Sequence, residues 1–266
     1  MTNNQKHVII QSNPIINTIE FLLLTAKERL KRMIGTKRQQ EILEYMQKNE
    51  TISVRKIVKT FYVSEATARR DLDALEKAGL IRRVFGGATL IVGADKQVPL
   101  FVREREDEQE KLRLCKRAST LIRDGDVLFL DGSSTVQFLL PFLQKFKDLI
   151  VITNGLKIAQ ILGEMHVKVY STGGLLKENS AVLVGEDAEQ FVDRFNADWC
   201  FLSCKGLSES GKLTDTSYDE TQLRKRFLAN AKKKVFLITK NKIGKQYIHT
   251  LCQDTQVDYV ITDIHN

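Results

Sequence analysis

The sequence predicts an α/β chain in two parts: a small helical domain closed by a β-hairpin, then a larger domain around a largely parallel sheet. Three observations carry this. A capped, arginine-bearing helical pattern starts at Ser64. Two basic, β-prone runs around a glycine pair follow between Leu80 and Val92. Past Gly125 the apolar residues gather into short runs separated by helix-like stretches. The expected divisions are an extension over 1–35, the helical domain over 36–92, a linker and connecting helix over 93–123, and the α/β domain over 124–266.

In the first part, Lys37 to Lys48 places Ile42, Leu43 and Met46 on one side of a helix. Ile52 to Thr60 can form a second short helix packed through Val54, Ile57 and Val58, and Phe61-Tyr62-Val63 then turns the chain. In SEATARRDL, the Ser64 hydroxyl can accept from a free amide of the first helical turn. Ala68, Leu72, Leu75 and Gly79 recur at helical spacing and face a core. Arg70 lies on the opposite face, flanked by Thr67, Arg69 and Lys77. Arginines and small polar groups near the start of a short helix suit the DNA major groove. Leu80 to Arg83 and Thr89 to Val92, turned at Gly86-Gly87, make a hairpin wing. The order reads as a winged helix-turn-helix. Its candidate DNA contacts are Ser64, Thr67, Arg69, Arg70, Arg82 and Arg83.

Composition agrees. The 266 residues are 42% hydrophobic and 28% charged, which supports a substantial core and excludes a disordered chain. A formal net charge of +8 favours an anionic partner. Cys115, Cys200, Cys204 and Cys252 form no Cys-x-x-Cys pair and read as reduced thiols of a cytoplasmic protein, with Cys200 and Cys204 sharing one face of a strand. No run reaches membrane-spanning length, and Ile19 to Leu24 lacks the flanks of a signal peptide.

In the second part, a helical pattern over Glu104 to Arg123 leads into six short apolar runs: Val127–Leu130, Ile150–Thr153, Val167–Tyr170, Trp199–Ser203, Val235–Thr239 and Tyr259–Thr262. Helix-like segments at Ala159–Met165, Ala188–Phe195 and Glu220–Lys232 alternate with them. Three loops follow strands directly: Asp131-Gly132-Ser133-Ser134-Thr135, Thr153-Asn154-Gly155 and Thr172-Gly173-Gly174. Backbone amides at a helix start, with hydroxyls beside them, cradle anions. Ligands of open parallel sheets gather at the carboxyl ends of strands. Pro141 falls where the helix after the first loop belongs and is expected to kink it or delay its start.

KRQQEILEYMQKN and VSEATARRDLDALEKAGLIRRVFGGA resemble the N-terminal domain of DeoR-type transcriptional regulators. Arg103, Glu110-Lys111, DGSST, ITN, STGG, LVGEDAE and Asn241-Lys242-Ile243-Gly244 resemble the effector domain of the same family, similar in fold to ribose-phosphate isomerases and glucosamine-phosphate deaminases. The resemblance implies that Arg69 and Arg70 meet DNA. It implies that Asp131, Gly132, Ser133, Ser134 and Thr135, with Lys242, hold a sugar phosphate. Asn154, Gly173, Gly174 and Lys205 would line the sugar side. Ala68 stands where a β-branched residue is common, Thr239 where an acidic one is, and Lys205-Gly206 where Asp-Gly is common. Such proteins begin shortly before the first DNA-domain helix, so the first 32 residues are expected to be a disordered extension or leader sequence upstream of a start at Met33.

The function expected is a DNA-binding regulator, a repressor of sugar-metabolism genes controlled by a phosphorylated sugar and acting as a homo-oligomer, because two-fold operators pair two recognition helices. The alternative is a sugar-phosphate isomerase or deaminase-like enzyme fused to a DNA-binding domain. His166, His249 and His265 fall in no cleft motif, while Asp131, Asp215 and Glu220 could act as bases. A third reading is a sensor that no longer binds sugar. No metal or cofactor is expected. Replacing Arg70 with Ala is predicted to weaken operator binding by about 1–3 kcal/mol, if the arginine makes a bidentate base contact. Unchanged affinity of the Arg69/Arg70 double alanine variant, folded by circular dichroism, would place the contact on another helix.

Overall fold

The computed structural model describes residues 37–77, 80–90, 100–177 and 180–263. The expected extension over 1–35, Gly79, and the wing beyond Leu90 lie outside the described residues.

The first domain runs α1 (Lys37–Asn49), β1 (Thr51–Ser53), α2 (Val54–Phe61), α3 (Glu65–Lys77), β2 (Ile81–Val84) and β3 (Gly87–Leu90). Ile42, Met46, Ile57, Leu72, Leu75 and Ile81 are fully buried together, and Ala68 packs among them. The segment from Ile52 is not helical throughout. Ile52 pairs with Ala88 in an antiparallel ladder, which buries it, and Ser53 then caps α2 by accepting from the Lys56 amide at 3.1 Å. The wing is therefore a three-stranded sheet of order β1-β3-β2.

The wing turn also differs in detail from its expected Gly86-Gly87 position. Val84 pairs with Gly87, so Phe85 and Gly86 make the turn, and Gly86 takes φ +77°. Gly87 is needed for another reason: a Cβ there would lie 2.2 Å from the Ile52 carbonyl oxygen. Two ties join the elements from outside the apolar core. Buried Asp71 of α3 accepts from Arg38 Nε at 2.5 Å and Gln39 Nε2 at 2.9 Å, fixing α1 to α3.

The second domain opens with α4 (Leu100–Arg105) and α5 (Glu108–Ala118). Its sheet comprises β4 (Val127–Leu130), β5 (Ile150–Thr153), β6 (Lys168–Ser171), β9 (Ala197–Leu202), β12 (Ala231–Leu237) and β14 (Tyr259–Ile261), in the order β14-β12-β9-β4-β5-β6. Every pairing in it is parallel. Buried apolar runs on alternate faces explain this. Leu128, Leu130, Val151 and Phe201 meet one core, whereas Phe129, Ile152, Cys200 and Leu202 meet the other. Leu114, Cys115 and Ala118 of α5 belong to the first core, so the expected connecting helix packs within this domain. Short α6 (Leu140–Leu143) carries Pro141 in its first turn after a 3-10 turn at Val136–Leu139, the delayed start expected of that proline. α7 (Leu156–Glu164), α8 (Glu186–Val192) and α9 (Tyr218–Ala229) fill the other crossovers.

Two additions escaped the sequence pattern: a hairpin of β7 (Leu175–Lys177) and β8 (Val182–Val184), and a small antiparallel sheet of β10 (Gly206–Leu207), β11 (Lys212–Asp215) and β13 (His249–Gln253). Cys204 lies just past the end of β9, outside the strand it was expected to share with Cys200. All four cysteines are free thiols, and burial pushes Cys200 and Cys204 up to about 12.

Gly87→Ala is expected to destabilise the first domain by about 1–3 kcal/mol, because backbone must move to admit the methyl group. A thermal melt matching that of the unaltered protein would contradict the close β1–β3 contact.

Candidate nucleic-acid interface and anion cavity

Ser64 caps α3 as its position suggested. Its hydroxyl accepts from the Thr67 amide at 3.2 Å and lies 3.0 Å from the Thr67 hydroxyl. Arg69 and Arg70 are exposed on α3, with Arg69 3.5 Å from Glu65 in a solvent-facing pair of little weight. Arg82 is exposed on the wing. Arg83 is placed differently from a free phosphate contact. Its guanidinium pairs with Asp73 of α3 and donates to the Gly87 carbonyl at 3.3 Å, while its amide donates to Glu76 at 2.7 Å. It sets the wing against α3. Sequence reasoning passed over two aromatics beside this face, Tyr62 at the turn into α3 and Phe85 at the wing tip, which are 94% and 108% exposed.

In the second domain the sheet order reverses between β4 and β9. Chain order runs outward from β4 through β5 and β6, then returns to β4's other side at β9. A cavity of about 170 Å³ opens at the carboxyl ends of the strands there, where open α/β sheets bind ligands. Ser133 and Ser134 come from the loop after β4, Lys205 follows β9, and Lys242 follows β12. Arg103 and Lys111 close one side from α4 and α5, and Lys245 and Tyr247 another.

The floor is an ion cluster. Arg224 of α9 donates through Nε to Asp131 at 2.9 Å, through one terminal nitrogen to Asp215 at 2.9 Å, and through the other to Glu220 at 3.0 Å. All four side chains are buried. Burial opposes the Arg224 cation, but Asp215, Asp131 and Glu220 outweigh it and raise its pKa. Asp131 also shapes its own loop, accepting from the Ser133 amide at 3.0 Å and the Ser203 amide at 3.1 Å.

The anion cradle is narrower than expected. The Gly132 amide is taken by Asn154 Oδ1 at 2.9 Å and the Ser133 amide by Asp131. Among the described residues, the amides of Ser134 and Thr135 have no hydrogen-bond acceptor. They sit at the start of a 3-10 turn, whose first amides are unsatisfied within it. Lys242 Nζ stands beside them, 2.8 Å from Ser203 Oγ and 3.5 Å from Thr135 Oγ1.

Of the residues expected at the ligand, Asp131, Gly132 and Thr135 do not themselves line this cavity, and neither do Asn154, Gly173 and Gly174. The last three follow β5 and β6, on the far side of the reversal. Asn154 ties loops together, accepting from Gly132 and donating to the Leu183 carbonyl at 3.1 Å. Gly132 and Gly155 face each other so closely that a Cβ on either would come within 3 Å of the other's Cα. Gly132 thus serves a loop crossing. At Gly174, φ is +96° and a Cβ would lie 2.6 Å from the Val184 carbonyl oxygen, so it serves the β7–β8 hairpin.

The cavity is cationic. Burial lowers the pKa values of Lys242, Lys205 and Arg103, and burial with nearby Lys242 brings Lys111 down to about 8. An anion would relieve this crowding. Affinity for a phosphate ester is therefore expected to be full below pH 8 once the ester is dianionic, and to fall as pH rises through 8 and Lys111 loses its proton. Titration calorimetry between pH 6.5 and 9.5 would show this fall, and a flat profile would contradict it. Arg224→Met is expected to cost about 3–5 kcal/mol by stranding buried carboxylates, measured by denaturant unfolding; a loss below about 1 kcal/mol would mean the cluster is dispensable.

Among the described residues, no group of three or more histidines, cysteines or carboxylates is placed to hold a metal, and no helix is long and apolar enough to cross a membrane. The DeoR-like helix-turn-helix domain matches residues 38–92 and the DeoR C-terminal sensor domain matches residues 106–264. The HTH-type transcriptional regulator GolR of Listeria innocua is 33% identical over 87% of this chain and 91% of its own. The lactose phosphotransferase system repressor of Staphylococcus aureus is 31% identical over 84% and 90%. The glycerol-3-phosphate regulon repressor of Escherichia coli is 27% identical over 87% and 92%. A solved ribose 5-phosphate isomerase from Methanocaldococcus jannaschii superposes on 52% of this chain and 55% of its own with a TM-score of 0.40 and 18% identity. A DNA-binding domain and a sensor domain, matched in this order along the chain, make it a member of the DeoR family of helix-turn-helix transcriptional regulators.

Proposed function

We propose that this regulator represses sugar-metabolism genes and that a phosphorylated sugar bound in the cationic cavity controls its hold on operator DNA. The observation that carries the reading is the cavity's charge. Among the described residues, six cationic side chains line it against five carboxylates once Asp131 of the floor is included, a net positive charge that suits a phosphomonoester dianion. Ser134 and Lys242 line the cavity and bring the donors such a group needs, and the Thr135 amide, next in the loop, would join them. Repression is favoured over activation by two relatives named as repressors.

A sensor fits better than an enzyme. Asp215 and Glu220, two of the candidate bases, are held by Arg224, and among the described residues no histidine lines the cavity. Arg69, Arg70 and Arg82, with Ser64 and Thr67 at the start of α3, would face DNA in the cytoplasm. Arg83 would act by positioning the wing. A homo-oligomer would present two such helices to paired half-sites.

A thermal-shift screen of pentose, hexose and triose phosphates tests the ligand class, with hits assayed for release of operator DNA. At a concentration about 100 times Kd, binding to the folded state adds about 2.7 kcal/mol of stability. The matching unphosphorylated sugars are expected to give no shift. Lys242→Ala is expected to keep operator binding and lose the response; equal action of free and phosphorylated sugar would refute the phosphate reading.

A further inference from the structure

Lys111 is buried on α5 and also lines the anion cavity. Its ammonium donates to the backbone carbonyl of Arg103, in the last turn of α4. Carbonyls in a last turn have no partner within their own helix, so Lys111 acts as a cap supplied from outside. α4 begins at Leu100, ten residues after the wing strand β3 ends at Leu90. It is thus the first described element of the sensor domain after the DNA-binding domain. A second tie holds it, Glu104 to Lys157 Nζ at 2.6 Å. The turn after α4 is fastened to the Lys242 loop, because Asn241 Nδ2 donates to Asp107 at 2.7 Å and the Lys240 amide to Glu110 at 2.6 Å.

We propose that Lys111 reports an anion in the cavity to the DNA-binding end of the chain, by exchanging its bond to the Arg103 carbonyl for one to the bound phosphate. A carbonyl is a neutral acceptor. A phosphate dianion is a charged one, and charge-assisted bonds are roughly twice as strong. The fastened turn and the α5 core contacts hold the lysine backbone still, so the side chain swings and α4 loses its cap. The coupling is a difference in contacts between two states, as linkage requires. It rests on the proposed anion site, and it adds the route by which that site reaches α4.

The test uses the full chain and inorganic phosphate as probe, at ionic strength matched with chloride. Melting temperature reads binding, and amide hydrogen exchange over residues 100–105 reads α4. In the unaltered protein, phosphate is expected to raise the melting temperature and to speed exchange of α4 about five- to tenfold, the factor one lost hydrogen bond carries. Lys111→Met is expected to bind phosphate more weakly through Lys242 and the loop amides. Its α4 would exchange fast from the outset, with no further change at saturating phosphate. Lys111→Arg, which keeps a cation, is expected to retain the phosphate-dependent change. A melting shift without any change in α4 of the unaltered protein would overturn the coupling and leave the site standing. So would a full α4 response in Lys111→Met. Absence of a melting shift in the unaltered protein would overturn the site and the coupling together.

Discussion

The Arg224 guanidinium is the interaction on which the sensor domain depends. It brings three carboxylates together at the carboxyl edge of the sheet, reaching Asp131 from 93 residues away. Three buried carboxylates without a cation would repel one another and carry a large desolvation cost. With Arg224 among them, Asp131 can accept from the Ser133 and Ser203 amides and so fix the loops after both β4 and β9. That geometry leaves the next two amides, Ser134 and Thr135, for an external acceptor. Arg224 therefore shapes the cradle from beneath, while Lys242, Lys205, Lys111 and Arg103 give the space above its positive charge.

The DNA-binding domain uses polar ties in a comparable way. Its apolar core joins three helices and the wing, and buried or half-buried polar ties are added to it. Asp71 locks α1 to α3 from a buried position, and Arg83 locks the wing to α3 through Asp73 and the Gly87 carbonyl. Arg70 and Arg82 then project from a frame whose parts are mutually fixed. Presenting arginines at a set separation is what reading a groove requires.

Local patterns made the scaffold legible in the sequence. All six strands of the parallel sheet overlap short apolar runs: central β4, β5 and β9 are largely buried and need apolar residues on both faces, while edge strand β6 stays exposed or half-buried. The α3 cap, the Pro141 delay and the buried Ala68 followed from local chemistry as well. The misplacements have one cause, which is that a residue's partner lies far along the chain. Ile52 is a strand residue because of Ala88, and Gly132 is a glycine because of Gly155 and Val182. The three glycine-rich loops looked equivalent in sequence. Strand order separates them, placing the first at the reversal and the other two beyond it. Arg224 sat in an ordinary helical pattern with no local mark of its role, and the β10–β11–β13 sheet was too short to register as a period.

The central claim is that phosphate binds at the β4–β9 reversal, against Ser134, Thr135 and Lys242. The most direct measurement is a crystal structure of the protein grown with a sugar phosphate that shifts its melting temperature. The account predicts phosphate oxygens within hydrogen-bond distance of the Ser134 and Thr135 amides and of Lys242 Nζ, with Arg224 still bound to its three carboxylates. A phosphate seated instead on the loops after β5 and β6, at Asn154, Gly173 and Gly174, would contradict it.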